Sequence, residues 1–187
     1  MIWIQTYGGR IVDLLTPNPE TIDIEDIAHA LARICRYTGH TAGHYSVAQH
    51  SVLVSRHLPP ELAFDGLMHD AAEAYVHDVS APLKSAMREV EGRETSYDII
   101  THRVDAAISA KFGLTSPIPE AVRIADLRML ATEFDDLGFL AIASRPWHIP
   151  HQRFDDHIDG YWPFDAARDI FLNRFHQMFG AKGGDKI

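Results

Sequence analysis

A chain of 187 residues fits one domain, and a hydrophobic fraction of 46% supplies a core that needs no disulfide staple. The single cysteine, Cys35, excludes an intramolecular disulfide. A formal net charge of -9 with neutral histidines disfavours duplex nucleic acid as a partner, because phosphate contacts dominate that affinity. A local basic pocket for one phosphate is still compatible with that charge. The 12 histidines invite a search for metal ligands. No run approaches the ~20 apolar residues of a membrane span. Met1-Ile2-Trp3-Ile4 has neither a basic segment nor a long apolar one, so the expected location is the cytoplasm.

In chain order, the β-prone runs Trp3–Tyr7 and Arg10–Leu14 flank Gly8-Gly9 and predict a hairpin within residues 1–16. Thr16-Pro17-Asn18-Pro19 breaks the chain. Asp23 is placed to cap a helix that reaches about Arg36, with Ile27, Ala30, Leu31 and Ile34 at helical spacing. Gly39 and Gly43 bracket a loop that contains His40. A second helix spans about Tyr45 to Arg56 with the stripe Val47, His50, Val54, and a third runs from Glu61 to Tyr75 after Pro59-Pro60. Pro82 interrupts the chain, and a short helix follows to Arg88. A longer helix covers Glu94 to Phe112 and closes at Gly113; the next runs from Pro119 to Leu137. A loop rich in aromatics and prolines, Ser144 to Pro163, precedes a last helix from Phe164 to Phe179 and a frayed tail. With no repeat, low-complexity tract or long linker, residues 1–187 read as a single all-α domain, a helical bundle with a small N-terminal β-hairpin.

The chemistry begins at His69-Asp70. In a helix, Asp70 and Glu73 are three apart and His69 and Glu73 four apart, so their side chains share a face. Ionisable groups between apolar neighbours are costly to bury unless a charge sits among them, and a divalent cation would serve. A solvated His-Asp pair is the plain alternative. His50 lies on the apolar stripe of its helix and should point inward, either as a core histidine or as a ligand. Asp126 falls among Val122, Ala125, Met129 and Leu130, on the face expected to be buried. A buried carboxylate needs a partner, either a cation or an arginine such as Arg123 or Arg128. Imidazole and carboxylate together suit a first-row divalent metal: Co, Mn, Fe, Ni or Zn.

The pattern His50, His69-Asp70, Asp126 resembles the metal signature of the HD-domain superfamily. His69-Asp70-Ala71-Ala72-Glu73, followed by His77-Asp78-Val79-Ser80-Ala81-Pro82-Leu83-Lys84, is similar to a segment of the bacterial 5'-deoxynucleotidases of that superfamily. Arg36-Tyr37 resembles the Arg-aromatic pair before their first histidine, and Tyr45–Ser51 matches the helix that carries it. The resemblance covers residues 22–140. It departs in a short gap between His50 and His69, in Tyr37 where those enzymes carry Trp, and in Ala81 where they carry Thr. The chain is also similar to compact bacterial and phage HD proteins, some of which resemble deoxynucleoside triphosphohydrolases.

The resemblance implies an HD-domain bundle with core 22–140 and C-terminal helix 164–179, and a divalent transition metal held by His50, His69, Asp70 and Asp126. It implies Glu73 and Asp78 as catalytic groups. Glu73 either handles the proton of a water or bonds a ligating histidine; Asp78 either exchanges a proton or caps the helix after Pro82. Arg36, Tyr37 and Lys84 are the substrate contacts it implies, against a plain surface or core role for each. His40, His44 and His77 are weaker candidates near the site. Trp147-His148-Ile149-Pro150-His151 with Trp162-Pro163-Phe164 fits either a lid or a core or subunit closure, and stays outside the site. The implied activity releases phosphate from a deoxynucleoside 5'-monophosphate. The alternatives are a dNTP triphosphohydrolase releasing triphosphate, hydrolysis of a signalling nucleotide, and a non-catalytic metal-binding regulatory HD domain. The implied partners are a small-molecule nucleotide and further copies of the chain, with no duplex nucleic acid and no membrane.

Overall fold

A computed structural model describes residues 2–139 and 149–182. It is an all-α fold with one small N-terminal antiparallel hairpin, as the sequence predicts. Trp147 and His148 lie outside the described residues, as does the end of the predicted tail, residues 183–187. No described helix is long and apolar enough to cross a membrane.

Strands β1 (Trp3–Gln5) and β2 (Ile11–Asp13) pair with Ile4 opposite Val12. Val12 is fully buried and pins the hairpin to the core. The turn is held by Asp26, a buried carboxylate of the first helix, α1 (Ile24–Leu31), which accepts from Thr6 Oγ1 at 2.7 Å and from the Gly8 amide. Gly8 is required here, since a Cβ would stand 2.9 Å from Asp26 Oδ1.

Helix α1 starts where Asp23 accepts from the Glu25 amide, but it ends at Leu31 rather than near Arg36. Arg33 bonds back to the Ala30 carbonyl, and Cys35 then bridges Ser46 as an isolated antiparallel pair, with the Arg36 amide donating to the Tyr45 carbonyl. These bonds take the donors that continued helix would have used. Arg36–Gly39 form a 3-10 turn in which Tyr37 and Thr38 have φ of 55° and 54°. Two consecutive non-glycine residues in the left-handed region cost roughly 1–2 kcal/mol each.

Helix α2 (Val47–Arg56), capped by Ser46, is the central element and packs on α1, on α3 (Pro60–Met68), on α7 (Glu120–Asp136) and on α8 (Phe164–Lys182). The predicted third helix is broken. After α3, residues 69–72 form turns in which the Glu73 amide reaches the Asp70 carbonyl three residues back, and a single turn, α4 (Glu73–Val76), follows. His69 and Asp70 therefore sit at a helix end, not on a continuous face. Helix α5 (Ala81–Glu91) buries none of its residues and forms a rim. Helix α6 (Ser96–Phe112) packs through Val104, Ala107, Ile108 and Phe112 and ends at left-handed Gly113. The main core joins α1, α2, α3, α4, α6 and α8; a smaller cluster of Val54, Ala125, Met129 and Phe154 fastens α7 to α2.

Helix α6 begins with a complete capping box, in which Thr95 Oγ1 accepts from the Asp98 amide and Asp98 Oδ2 accepts from the Thr95 amide. Thr95→Ala is expected to lower unfolding free energy by about 1 kcal/mol, read as a lower urea midpoint at unchanged slope. The bond from the Thr95 amide, then its hydroxyl and Arg88, hold Asp98 down to about 2. A depressed carboxyl stabilises the fold above its ordinary pKa and loses that contribution as pH falls through the folded value. The deficit of Asp98→Asn relative to wild type should thus shrink between pH 3.8 and about 2.

Candidate metal centre

Three elements deliver the ligand candidates. His50 comes from the middle of α2, His69 from the C-terminal end of α3, and Asp126 from α7. His50 Nε2 lies 3.1 Å and His69 Nε2 3.9 Å from Asp126 Oδ1, and the three residues form a group that could hold a metal ion. Asp70 Oδ2 stands against both rings, 3.2 Å from His69 Nε2 and 3.6 Å from His50 Nε2. The structure thus brings all four predicted residues together, with Asp70 flanking the trio.

The hydrogen bonds on the far side of each ring decide which nitrogen faces the centre. His50 Nδ1 bonds Glu133 Oε1 at 2.5 Å, and His69 Nδ1 bonds the Gly66 carbonyl at 2.8 Å, one of the free carbonyls at the end of α3. Both partners are acceptors, so Nδ1 carries the hydrogen in each ring and Nε2 presents a lone pair. Both Nε2 atoms are buried without a hydrogen-bond partner among the described residues; the carboxylate oxygens are near but out of line. Lone pairs that converge on a common point, rather than on each other, fit a divalent cation.

Electrostatics point the same way. Burial pulls the His50 and His69 pKa values down, and for His50 the Arg36 charge adds to that. The surrounding carboxylates, Glu133 and Asp126 at His50 and Asp70 and Asp126 at His69, reverse the direction and raise both. Burial pushes Asp126 up, but the adjoining His50 and His69 imidazoles hold it well below its usual range; burial likewise opposes Asp70, which His69 holds to about 2. The cluster carries excess negative charge that protons balance and a metal would balance by displacing them.

Two expectations about α7 need correction. Asp126 is not on a fully buried stripe: Val122, Ala125 and Met129 are buried, but the Asp126 side chain is 36% exposed and borders a cleft. Neither arginine neutralises it, since Arg123 pairs with Glu120 and Arg128 bonds the Gln152 and Arg153 carbonyls over the Phe154 ring. The fully buried carboxylate is Glu133, which sequence reasoning missed. Its signal was its spacing: seven residues past Asp126, two helical turns on, it returns to the same face. Glu133 accepts from Tyr37 Oη at 2.6 Å and Tyr45 Oη at 2.8 Å as well as from His50, and Arg36 lies 3.3 Å away. Arg36 above all, then His50, holds it to about 2 against the opposing effect of burial.

A cleft of about 460 Å³ opens on the centre and is lined by Arg36, Tyr37, Asp70, Glu73, Asp78, Lys84 and Asp126. Its apolar wall is Leu127, Leu130 and Phe139, whose ring lies 4.7 Å from that of Tyr37. Glu73 is buried with Oε2 unpartnered among the described residues; burial, then the nearby Asp70 and Asp78 charges, raise it to about 9. Burial also raises Asp78. Arg36 spans Glu133 and Asp70 at 3.3 and 3.6 Å, with a buried Nε that lacks a hydrogen-bond partner among the described residues. Lys84 rests over the Tyr97 ring at 5.6 Å. Of the weaker histidines, His40 lines the cleft, whereas His44 is tied to Cys35 Sγ and the Ala32 carbonyl, and His77 is exposed. A second cavity, of about 660 Å³, reaches His69 from the α6 side past Asp105, which burial raises to about 6.

The fold and the centre together define an all-α protein with a His/His/Asp cluster fit for a metal ion. No family model matches the chain. It is 44% identical over 138 residues to the uncharacterized protein YfdR of Escherichia coli (strain K12), covering 74% of each. It is 36% identical over 137 residues to the uncharacterized protein RCAP_rcc00048 of Rhodobacter capsulatus, covering 66% of this chain and 67% of that one. The chain belongs to the family of YfdR. Neither relative's name states an activity, so the chemistry rests on the site.

His50→Ala and Asp126→Ala should each weaken divalent-metal binding by more than about tenfold, since even a supporting group is worth ten- to a hundredfold. Metal analysis after gel filtration, with circular dichroism as the check on the fold, reads this. Full metal content in either variant would remove that residue from the centre.

Proposed function

We propose that this protein is a metal-dependent phosphohydrolase of the HD superfamily that releases phosphate from a deoxynucleoside 5'-monophosphate. The observation that carries the reading is the pair of buried Nε2 atoms of His50 and His69, unpartnered among the described residues, beside Asp70 and Asp126, which line a cleft together with Arg36 and Lys84. A carboxylate-rich floor under basic walls suits a phosphate bridged to a cation. The deoxynucleotide is taken from the resemblance of the His69–Lys84 and Arg36-Tyr37 segments to the 5'-deoxynucleotidases.

In this reading His50, His69, Asp70 and Asp126 hold a Co, Mn, Fe, Ni or Zn ion. When bound, such an ion lowers the pKa of water and stabilises charge on phosphoryl oxygens. Arg36, which lines the cleft, meets the phosphate with its guanidinium, and Lys84 adds a point charge. Tyr37 and Phe139 give the sugar or base an apolar wall. Glu73 then accepts a proton from the attacking water, a neighbouring cation offsetting the burial that otherwise keeps it protonated. Water oxygen bonds to phosphorus, the bond to the 5'-oxygen breaks, and Asp78 supplies the proton that oxygen takes up.

A panel of deoxynucleoside mono- and triphosphates and ribonucleotides, each with Mn, Co, Ni and Zn, tests the reading. Inorganic phosphate from the monophosphates is expected. Triphosphate release from a dNTP would replace the substrate, and metal binding without turnover would replace catalysis by a regulatory role. Glu73→Gln should lower the rate by roughly 10²–10⁴-fold, the usual worth of a general base, with metal content retained. An unchanged rate would assign Glu73 a structural role.

A further inference from the structure

Glu133 lies outside the cleft: it does not line it and is fully buried behind His50. Its two oxygens serve different neighbours. Oε1 accepts from His50 Nδ1 and Tyr45 Oη, while Oε2 accepts from Tyr37 Oη and faces the Arg36 guanidinium at 3.3 Å. Three hydrogen bonds and one ion pair thus gather on this carboxylate. One side therefore fixes a ligand candidate of the metal centre, and the other fixes the arginine at the wall of the cleft.

We propose that Glu133 is a positioning residue for two functions at once, holding His50 with its hydrogen on Nδ1 and its Nε2 toward the metal, and holding the Arg36 guanidinium where it meets the substrate's phosphate. The second half rests on the reading of the cleft as a phosphate site. Glutamine has the same shape but cannot replace the carboxylate. Its NH₂ must face either Arg36 and Tyr37 or His50 and Tyr45. In the first orientation it meets a guanidinium that only donates. In the second it asks His50 Nδ1 to accept, which moves the ring hydrogen to Nε2 and blocks the lone pair that a metal needs. The tyrosine hydroxyls can rotate to accept; Arg36 cannot, and His50 can do so only by giving up that lone pair. Either way one of the two functions fails.

The test uses the full chain stripped of metal, titrated with Mn²⁺ and then, at saturating Mn²⁺, with inorganic phosphate. In folded Glu133→Gln, at least one of the two affinities should fall about tenfold or more, within the range known for groups that support metal ligands. A smaller change in both would overturn the proposal. Should the variant not fold, the Zn²⁺-loaded wild type decides. Imidazole ¹⁵N shifts should show His50 protonated at Nδ1 and bound at Nε2, and the reverse assignment would overturn it. No nucleotide is present in these measurements. A silent nucleotide panel beside a tenfold loss would reject the proposed function alone, whereas turnover beside unchanged affinities would reject the role of Glu133 alone. Wild type that binds Mn²⁺ but no phosphate would overturn the phosphate half and leave the metal half to stand on its titration.

Discussion

A carboxylate shut away from water must have each of its lone pairs met, or it costs the fold several kcal/mol. Glu133 meets that demand with hydrogen bonds from Tyr37, Tyr45 and His50 and the charge of Arg36, which belong to a 3-10 turn, the stretch just before the central helix and that helix itself. Those pieces are separated in sequence, and Glu133 itself lies on α7. Burying one charge therefore fixes the relative positions of four segments, and the metal centre inherits that geometry.

The strained turn at Tyr37 and Thr38 is intelligible in the same terms. Left-handed backbone at two successive non-glycine residues is unfavourable, yet it lets the Tyr37 hydroxyl reach Glu133 while its ring borders the cleft beside Phe139. The break after α3 has a related logic. Ending that helix at Met68 frees carbonyls, and the Gly66 carbonyl takes the Nδ1 hydrogen of His69 and aims its other nitrogen at the centre. In both places irregular backbone sits where a side chain must be oriented, while the regular helices around it supply the packing.

Much of the local structure was legible in the sequence. The hairpin around Gly8-Gly9, the cap of α1 at Asp23, the stop of α6 at Gly113 and the inward face of His50 on α2 depend on near neighbours, and near neighbours are what periodicity and caps record. The failures share one cause. Helix α1 stops short because the Arg36 amide finds the Tyr45 carbonyl, and α3 breaks because turn bonds after Met68 replace helical ones. Asp126, placed by phasing on a dry face, sits at the edge of that face because a cleft opens beside it. A hydropathy stripe cannot say where a neighbouring surface recedes.

By itself the sequence determined the helices, the short hairpin, and the residue types able to hold a metal: His50 on an apolar stripe, His69-Asp70 between apolar runs, and Asp126 at helical phase with buried neighbours. These follow from side-chain chemistry and from periods of two and 3.6 residues, which are local quantities. Only the tertiary structure decided that the histidine nitrogens converge, which nitrogen of each ring faces the centre, and that Glu133 is the carboxylate behind His50. Those facts depend on hydrogen bonds between residues more than 80 positions apart for Glu133 and on where a helix chooses to end for His69. Distances of that kind are set by packing, because a buried charge selects its partners from whatever the fold brings within reach.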